Sequence, residues 1–154
     1  MENVNFRSSV TIDDVQKDKY LLFYLGQNLY AMEIRYIQEL VHLGKITPVP
    51  GVPHHIKGII NLRGQVVVVE TIHGKFGEQE GTASSDTCIV IMIRGEEQRG
   101  FIVDKVVEVT AIPENHIILP TEKQFVQTKR NIRGVSILKG QMSLIIDGEK
   151  LLRD

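Results

Sequence analysis

The chain has one cysteine and no tryptophan. A single cysteine excludes an internal disulfide, agrees with a reducing compartment, and cannot build a thiolate metal site. No excess of one charge is present either: 18 Lys and Arg stand against 19 Asp and Glu. Residues 1–80 carry 8 basic and 9 acidic side chains, and residues 81–154 carry 10 of each. Neither half offers the basic face that nucleic acid or an anionic membrane requires. Long apolar runs are missing. Cys88–Ile93 is among the longest, and it is far too short to span a bilayer as a helix. The N-terminal stretch MENVNFRSSVTIDDVQKDK lacks the apolar centre of a secretion signal. Neither secretion nor direct membrane insertion is expected.

Catalytic and ligand-binding signatures are equally scarce. Gly58 and Gly64 have a spacing superficially like a phosphate loop. Such a loop needs Lys and then Ser or Thr after its last glycine, with a helix following. Here Gln65 and four valines follow, which predicts a strand. The histidines, His42, His54, His55, His73 and His116, include no metalloprotease-type pair. Cys88 opens an apolar run, so a buried structural thiol is expected there rather than a nucleophile. No nucleophile-elbow motif or close carboxylate pair stands out. The composition therefore points to no metal, no cofactor and no enzymatic chemistry.

What is present is a repeat. Ile56–Glu70, IKGIINLRGQVVVVE, recurs as Ile132–Ile146, IRGVSILKGQMSLII, at an offset of 76 residues. Gly58 matches Gly134, Leu62 matches Leu138, and Gly64-Gln65 matches Gly140-Gln141. Lys57 and Arg63 become Arg133 and Lys139, so charge is kept. A fainter echo at an offset of 69 relates Ile34, Ile37, Glu39 and Leu40 to Val103, Val106, Glu108 and Val109. The seven extra residues fit a longer connection at Pro113–Arg130 than at Lys45–His55. A fixed offset implies one structural unit used twice.

The unit reads as β-strands and tight turns. Tyr20–Leu25 and Leu29–Ile34 flank a turn at Gly26-Gln27-Asn28. Ile56–Asn61 and Gln65–Thr71 flank Arg63-Gly64, and Ile132–Leu138 and Gln141–Ile146 repeat that hairpin. Cys88–Ile93 and Gly100–Thr110 supply further strands, the latter either a pair or one strand with a bend. Ile34–Val41 fits one helical turn or a bent strand. Pro48, Pro50, Gly51 and Pro53 predict a stiff extended loop, because proline has no N–H for a ladder. Short helices are expected at Glu122–Lys129 and Gly148–Leu152. Residues 1–18 read as a flexible tail, and His73–Asp86 as a boundary or exposed loop. Residues 19–152 then form one all-β domain, with subdomains at about 19–80 and 86–152 and exchange of strands between them allowed. Many short strands without βαβ alternation favour small barrels over a parallel sheet.

Ile56–Gly64, IKGIINLRG, closely resembles the signature of CheW-like chemotaxis coupling proteins. YLLFYLGQNLYAMEI at Tyr20–Ile34, FIVDKVVEV at Phe101–Val109 and IRGVSILKG at Ile132–Gly140 extend the resemblance to about Lys19–Leu152. It implies two packed SH3-like five-stranded β-barrels with short helical segments. It also implies a non-enzymatic, stand-alone adaptor. Such an adaptor is cytoplasmic, recruited to membrane-associated receptor arrays, and links the cytoplasmic tip of methyl-accepting chemoreceptors to the regulatory domain of the histidine kinase CheA. The groove between barrels is the implied seat of a helical receptor hairpin. After NLRGQVV the family pattern continues with proline, valine and aspartate. This chain has Val68, Val69, Glu70 and Thr71, and His73-Gly74 replaces a more basic stretch. These departures keep open an adaptor of a non-flagellar pathway such as surface motility. A small-ligand carrier or an enzyme on paired barrels is the alternative from another class.

The resemblance makes Arg63 the leading candidate for receptor or kinase binding, with Glu39 as its ion-pair partner. By itself, a turn arginine reads as a surface residue, and such a pair would add little stability. Ile34, Ile37 and Leu40 are either core residues or part of a groove ridge that seats a helix. Gly58 is either a backbone necessity or a site where a side chain would block docking. The purified chain is expected to release no phosphate from ATP and to carry no stoichiometric metal. One chelator-resistant equivalent of zinc by elemental analysis would overturn that expectation.

Overall fold

A computed structural model of the protein describes Val4–Asn5 and residues 17–119 and 131–154. The helix expected at Glu122–Lys129 and most of the N-terminal tail lie outside these residues. Eleven strands are described: β1 (Val4–Asn5), β2 (Lys19–Leu25), β3 (Asn28–Glu33), β4 (Ile37–His42), β5 (Ile56–Leu62), β6 (Gln65–Thr71), β7 (Cys88–Arg94), β8 (Glu97–Val103), β9 (Lys105–Ala111), β10 (Ile132–Leu138) and β11 (Gln141–Ile146). A helix, α1 (Gly148–Arg153), closes the chain, capped by Asp147, whose side chain accepts the Lys150 N–H. Ile34–Tyr36 forms a short 3-10 turn before β4, so both readings of that segment hold in part.

The strands form two sheets, ordered β1-β4-β7-β8-β6-β5 and β10-β11-β3-β2-β9. Leaving β1 aside, the two five-strand orders correspond one to one. β4 takes the place of β9, β7 of β2, β8 of β3, β6 of β11, and β5 of β10. Both five-strand sets give the all-β architecture expected, and isolated bridges, Thr47 with Ile59 and Ile118 with Val135, draw their ends together. The chain does not fill them in sequence order. Hairpin β2–β3 completes the barrel of β9–β11, and hairpin β7–β8 completes that of β4–β6. β3 lies parallel to β11, and β8 parallel to β6. The division into barrels therefore differs from a division of the chain near His73–Asp86.

Burial explains the exchange. β2 and β7 show almost no alternation, because both of their faces are covered. Leu21, Phe23 and Leu25 of β2 join Val90 and Met92 of β7 in one core, while Tyr20 and Leu22 enter a second and Ile89 and Ile91 a third. The first core lies where the two hairpins meet, and the other two lie inside the barrels. β9 alternates regularly, as a strand with one wet face does.

The repeat is visible atom by atom. The turns at Gly26 and Gly95 both have φ 61°, and these glycines are 69 residues apart. Arg63 and Lys139 both take left-handed backbone, φ 52° and 51°, each before a left-handed glycine. The ladder slips at Gly58 and again at Gly134, so a bulge occupies the same place twice. Thr47 bridges Ile59 beside the first bulge, and Ile118 bridges Val135 beside the second.

Gly58 is dictated by this geometry. Its φ is 146°, and a Cβ built there would lie 2.2 Å from the Thr47 carbonyl oxygen. Backbone cannot yield as a side-chain tip can. Gly58→Ala is therefore expected to cost at least about 3 kcal/mol in denaturant unfolding. Gly95→Ala, left-handed but in open space, should cost only about 1–2 kcal/mol. Equal losses at both positions would contradict the steric argument.

Candidate functional site

Asn61, Leu62, Arg63, Gly64 and Gln65 form the tip of hairpin β5–β6. Consecutive left-handed residues at Arg63 and Gly64 match the twist of the flanking strands. The Asn61 side-chain oxygen accepts the Gly64 N–H at 2.8 Å and holds the turn. The arginine side chain then reaches across to β4. Its Nη1 donates to Glu39 Oε2 at 3.0 Å, and its Nη2 donates to Glu39 Oε1. Two parallel donors meeting two oxygens fix the guanidinium plane.

The two partners differ sharply in exposure. The Glu39 side chain is 2% exposed, whereas that of Arg63 is 56% exposed. The carboxylate is thus sunk in the protein, and the guanidinium caps it while keeping one side in water. The hydrogen bond to Glu39 holds the arginine pKa above its ordinary value. This corrects the expectation of a surface pair with little effect on stability. A buried carboxylate stripped of its partner is a desolvated, uncompensated charge.

Barrel two holds the equivalent pair. Lys139, at the turn matching Arg63, donates to Oε2 of Glu108, which matches Glu39, at 2.9 Å. Here both ends are solvated, 80% and 35% exposed. Both matches stand in the sequence echoes, Arg63 with Lys139 and Glu39 with Glu108. Read together, they mark a pair used twice, a signal that either echo alone does not carry.

The remaining candidates are placed elsewhere. Ile34, Ile37 and Leu40 are all buried in the core between the hairpins. Of the two readings left open for them, core or groove ridge, their burial fits the core. Gly58 serves the bulge against Thr47. Of the six candidates, Arg63 and Glu39 alone form a site that reaches solvent.

Other polar groups have internal tasks. Arg99 forks onto Glu70, with Nε 3.2 Å from Oε2 and Nη2 3.0 Å from Oε1. Its Nη1 also donates to the carbonyls of Leu151 and Leu152, which fastens α1 to β8 and, through Glu70, to β6. Glu70, a departure from the family pattern, is thereby a structural residue. His73 Nε2 lies 3.1 Å from Asp104 Oδ2, and Asp104 also accepts the Gly26 N–H at 2.6 Å. A cavity of about 270 Å³ is lined by Leu43, Ile46, Lys57, His73, Glu80 and Asp104. Hydrogen bonding by Lys57 holds the Glu80 carboxyl below the usual carboxylate range. Burial pushes the Cys88 thiol up to about 11, which leaves almost no thiolate near neutral pH. Among the described residues no group of three or more His, Cys, Asp or Glu is placed to hold a metal. Among them, too, no helix is long and apolar enough to cross a membrane.

The burial of Glu39 yields a stability test. Arg63→Ala should lower the melting temperature, because the carboxylate loses its counter-charge. Adding Glu39→Gln to Arg63→Ala should restore much of the loss, since an amide needs no counter-ion. Melts followed by circular dichroism at neutral pH decide this. A double variant less stable than Arg63→Ala would show that the glutamate stabilises without the arginine.

The match to known proteins spans the same elements. The family model described as CheW-like domain matches residues 19–154, from β2 to the end of the chain. Chemotaxis protein CheW of Klebsiella aerogenes is 28% identical over 134 residues, covering 87% of this chain and 81% of that protein. Chemotaxis protein CheW of Thermotoga maritima is 27% identical over 145 residues, covering 94% of each. The crystal structure of the scaffolding protein TtCheW from Thermoanaerobacter tengcongensis superposes with a TM-score of 0.75 at 33% identity, covering 84% of this chain and 88% of that one. With NLRG at the tip of β5–β6 and a family match running through both barrels, the chain belongs to the CheW-like domain family.

Proposed function

We propose that this protein is a non-enzymatic scaffold that couples the cytoplasmic tips of chemoreceptors to the histidine kinase CheA in bacterial chemotaxis. Family membership and the scaffold named in the TtCheW structure support this reading. The observation that carries it to particular residues is the Arg63–Glu39 pair. Glu39 positions, and Arg63 contacts. A buried carboxylate that holds a half-exposed guanidinium in one plane prepays the ordering of a long side chain. The open side of that guanidinium is then ready for a partner's carboxylate or carbonyl.

Ile34, Ile37 and Leu40 support this face from below by filling the core under β4. Gly58 supports it by shaping β5. The partners in this reading are the receptor tip and the kinase regulatory domain, met in the cytoplasm at receptor arrays. Glu70 and His73, two of the departures that keep a non-flagellar pathway open, make contacts within the chain.

Reconstitution with receptor, kinase and this protein tests the assignment. Arg63→Ala with Glu39→Gln is the informative variant, because it removes the pair without burying a lone charge. Receptor-dependent kinase activation is expected to fall at least about tenfold, as for a lost interfacial charge contact. Arg63→Lys, which keeps charge without the fork, should fall between. Full activation by the folded double variant would remove Arg63 from the docking surface.

A further inference from the structure

The barrel of β4–β6 has a cavity at the end opposite Arg63. This space of about 270 Å³ lies between Lys57 at the start of β5, Thr71 at the end of β6 and Ile102 near the end of β8. Leu43, Ile46 and Ile102 give it an apolar floor, and the same three side chains pack against the core of that barrel. Barrel mouths are favoured seats for small molecules. A dry cavity of about 150 Å³ accepts one benzene ring, so the space here suits two fused rings.

The other barrel places a phenol at the corresponding position. Arg133 matches Lys57, and Tyr20 matches Ile89 at the offset of 69 residues. Tyr20 and Ile89 each enter the core of their own barrel. Tyr20 reaches on to the mouth, where its hydroxyl accepts from Arg133 Nη2 and its ring centre lies 5.9 Å from the guanidinium carbon. Ile89 is too short for this, and Lys57 turns instead to Glu80 Oε1 at 2.8 Å. The cavity therefore stands where the second barrel holds a ring and a hydroxyl.

The wall supplies the polar half of such a site. The Lys57 ammonium has donors beyond the one given to Glu80. Glu80 and Asp104 bring partly exposed carboxylates, which accept when ionised. His73 Nδ1 is buried with no hydrogen-bond partner among the described residues. In the neutral ring it too is an acceptor, because Nε2 faces the Asp104 carboxylate. A hydroxyl answers both kinds of group, since it donates and accepts. One ammonium and two carboxylates leave the wall at −1 with neutral His73 and at 0 with charged His73, so an anion gains no attraction. We infer that this cavity binds a small neutral phenol-like molecule, with its rings on Leu43, Ile46 and Ile102 and its hydroxyl beside Lys57 and Glu80. The site stands apart from the docking reading, because Arg63 is at the far end of the β5–β6 hairpin.

The test titrates 2-naphthol into the full chain and follows backbone amide shifts by NMR. Saturable shifts are expected at Lys57, His73, Thr87 and Ile102, with none at Gly64 of the hairpin tip. Quinoline, two rings with an acceptor but no donor, should bind about fivefold more weakly. The anion 2-naphthoate should bind at least about tenfold more weakly. Ile89→Tyr, which gives the cavity the phenol of the other barrel, should abolish the shifts while the thermal melt stays cooperative. Ala83→Phe, on the exposed loop beside the cavity, replaces it as the filling variant if Ile89→Tyr does not fold. No saturable shift at millimolar 2-naphthol, or shifts centred on other residues, overturns the inference. Equal binding of quinoline or 2-naphthoate overturns the phenol assignment, and unchanged binding by the folded filling variant removes the site from this cavity.

Discussion

Two short hairpins that are apolar on both faces govern this molecule. A strand with one wet face can lie on the outside of a barrel. β2 and β7 cannot, because nearly every side chain along them is buried. The arrangement that covers both faces puts each hairpin inside one barrel and against the other hairpin at once. Crossing the hairpins between halves of the chain achieves this, and it joins the two barrels through one shared core. The interface is then a core between sheets rather than a contact between two finished domains.

The links at the ends of the barrels follow from that crossing. The segment after β6 returns across the first hairpin, where Asn28 and Tyr30 both donate to Glu78. The segment after β11 becomes α1 and meets the second hairpin through Arg99. Tyr30 and Arg99 stand 69 residues apart, so matching positions serve matching ends with different chemistry. A phenol suffices where one carboxylate is to be met. Two carbonyls and a carboxylate need the guanidinium fork.

Duplication also explains how one face became specialised. Both barrels place a cation at the β-hairpin turn and a glutamate on the facing strand. In the second barrel the pair is lysine with a solvated glutamate, the kind of contact that contributes little. In the first, the glutamate is buried and the cation is arginine, whose planar fork answers both oxygens. The backbone is the same in each case. Burial of one carboxylate turns an ordinary surface pair into a fixed, oriented group.

Much of the architecture was legible in the sequence because it depends on local chemistry. Left-handed turns need glycine partners, so Arg63-Gly64 and Lys139-Gly140 announced two like hairpins. Unbroken apolar runs such as CIVIMI announced strands covered on both faces. The partnership of Arg63 with Glu39 followed from family resemblance, and matching Glu39 with Glu108 already contained its second copy. Other facts lay beyond any sequence window. Which hairpin joins which barrel depends on pairings across the whole chain, such as β2 with β9. Whether Ile34, Ile37 and Leu40 face a groove or a core depends on what packs above them, and an apolar side chain is suited to either. The depth of Glu39 was hidden for the same reason. A carboxylate sits where the tertiary structure can bury it only because a residue 24 positions away supplies the opposite charge.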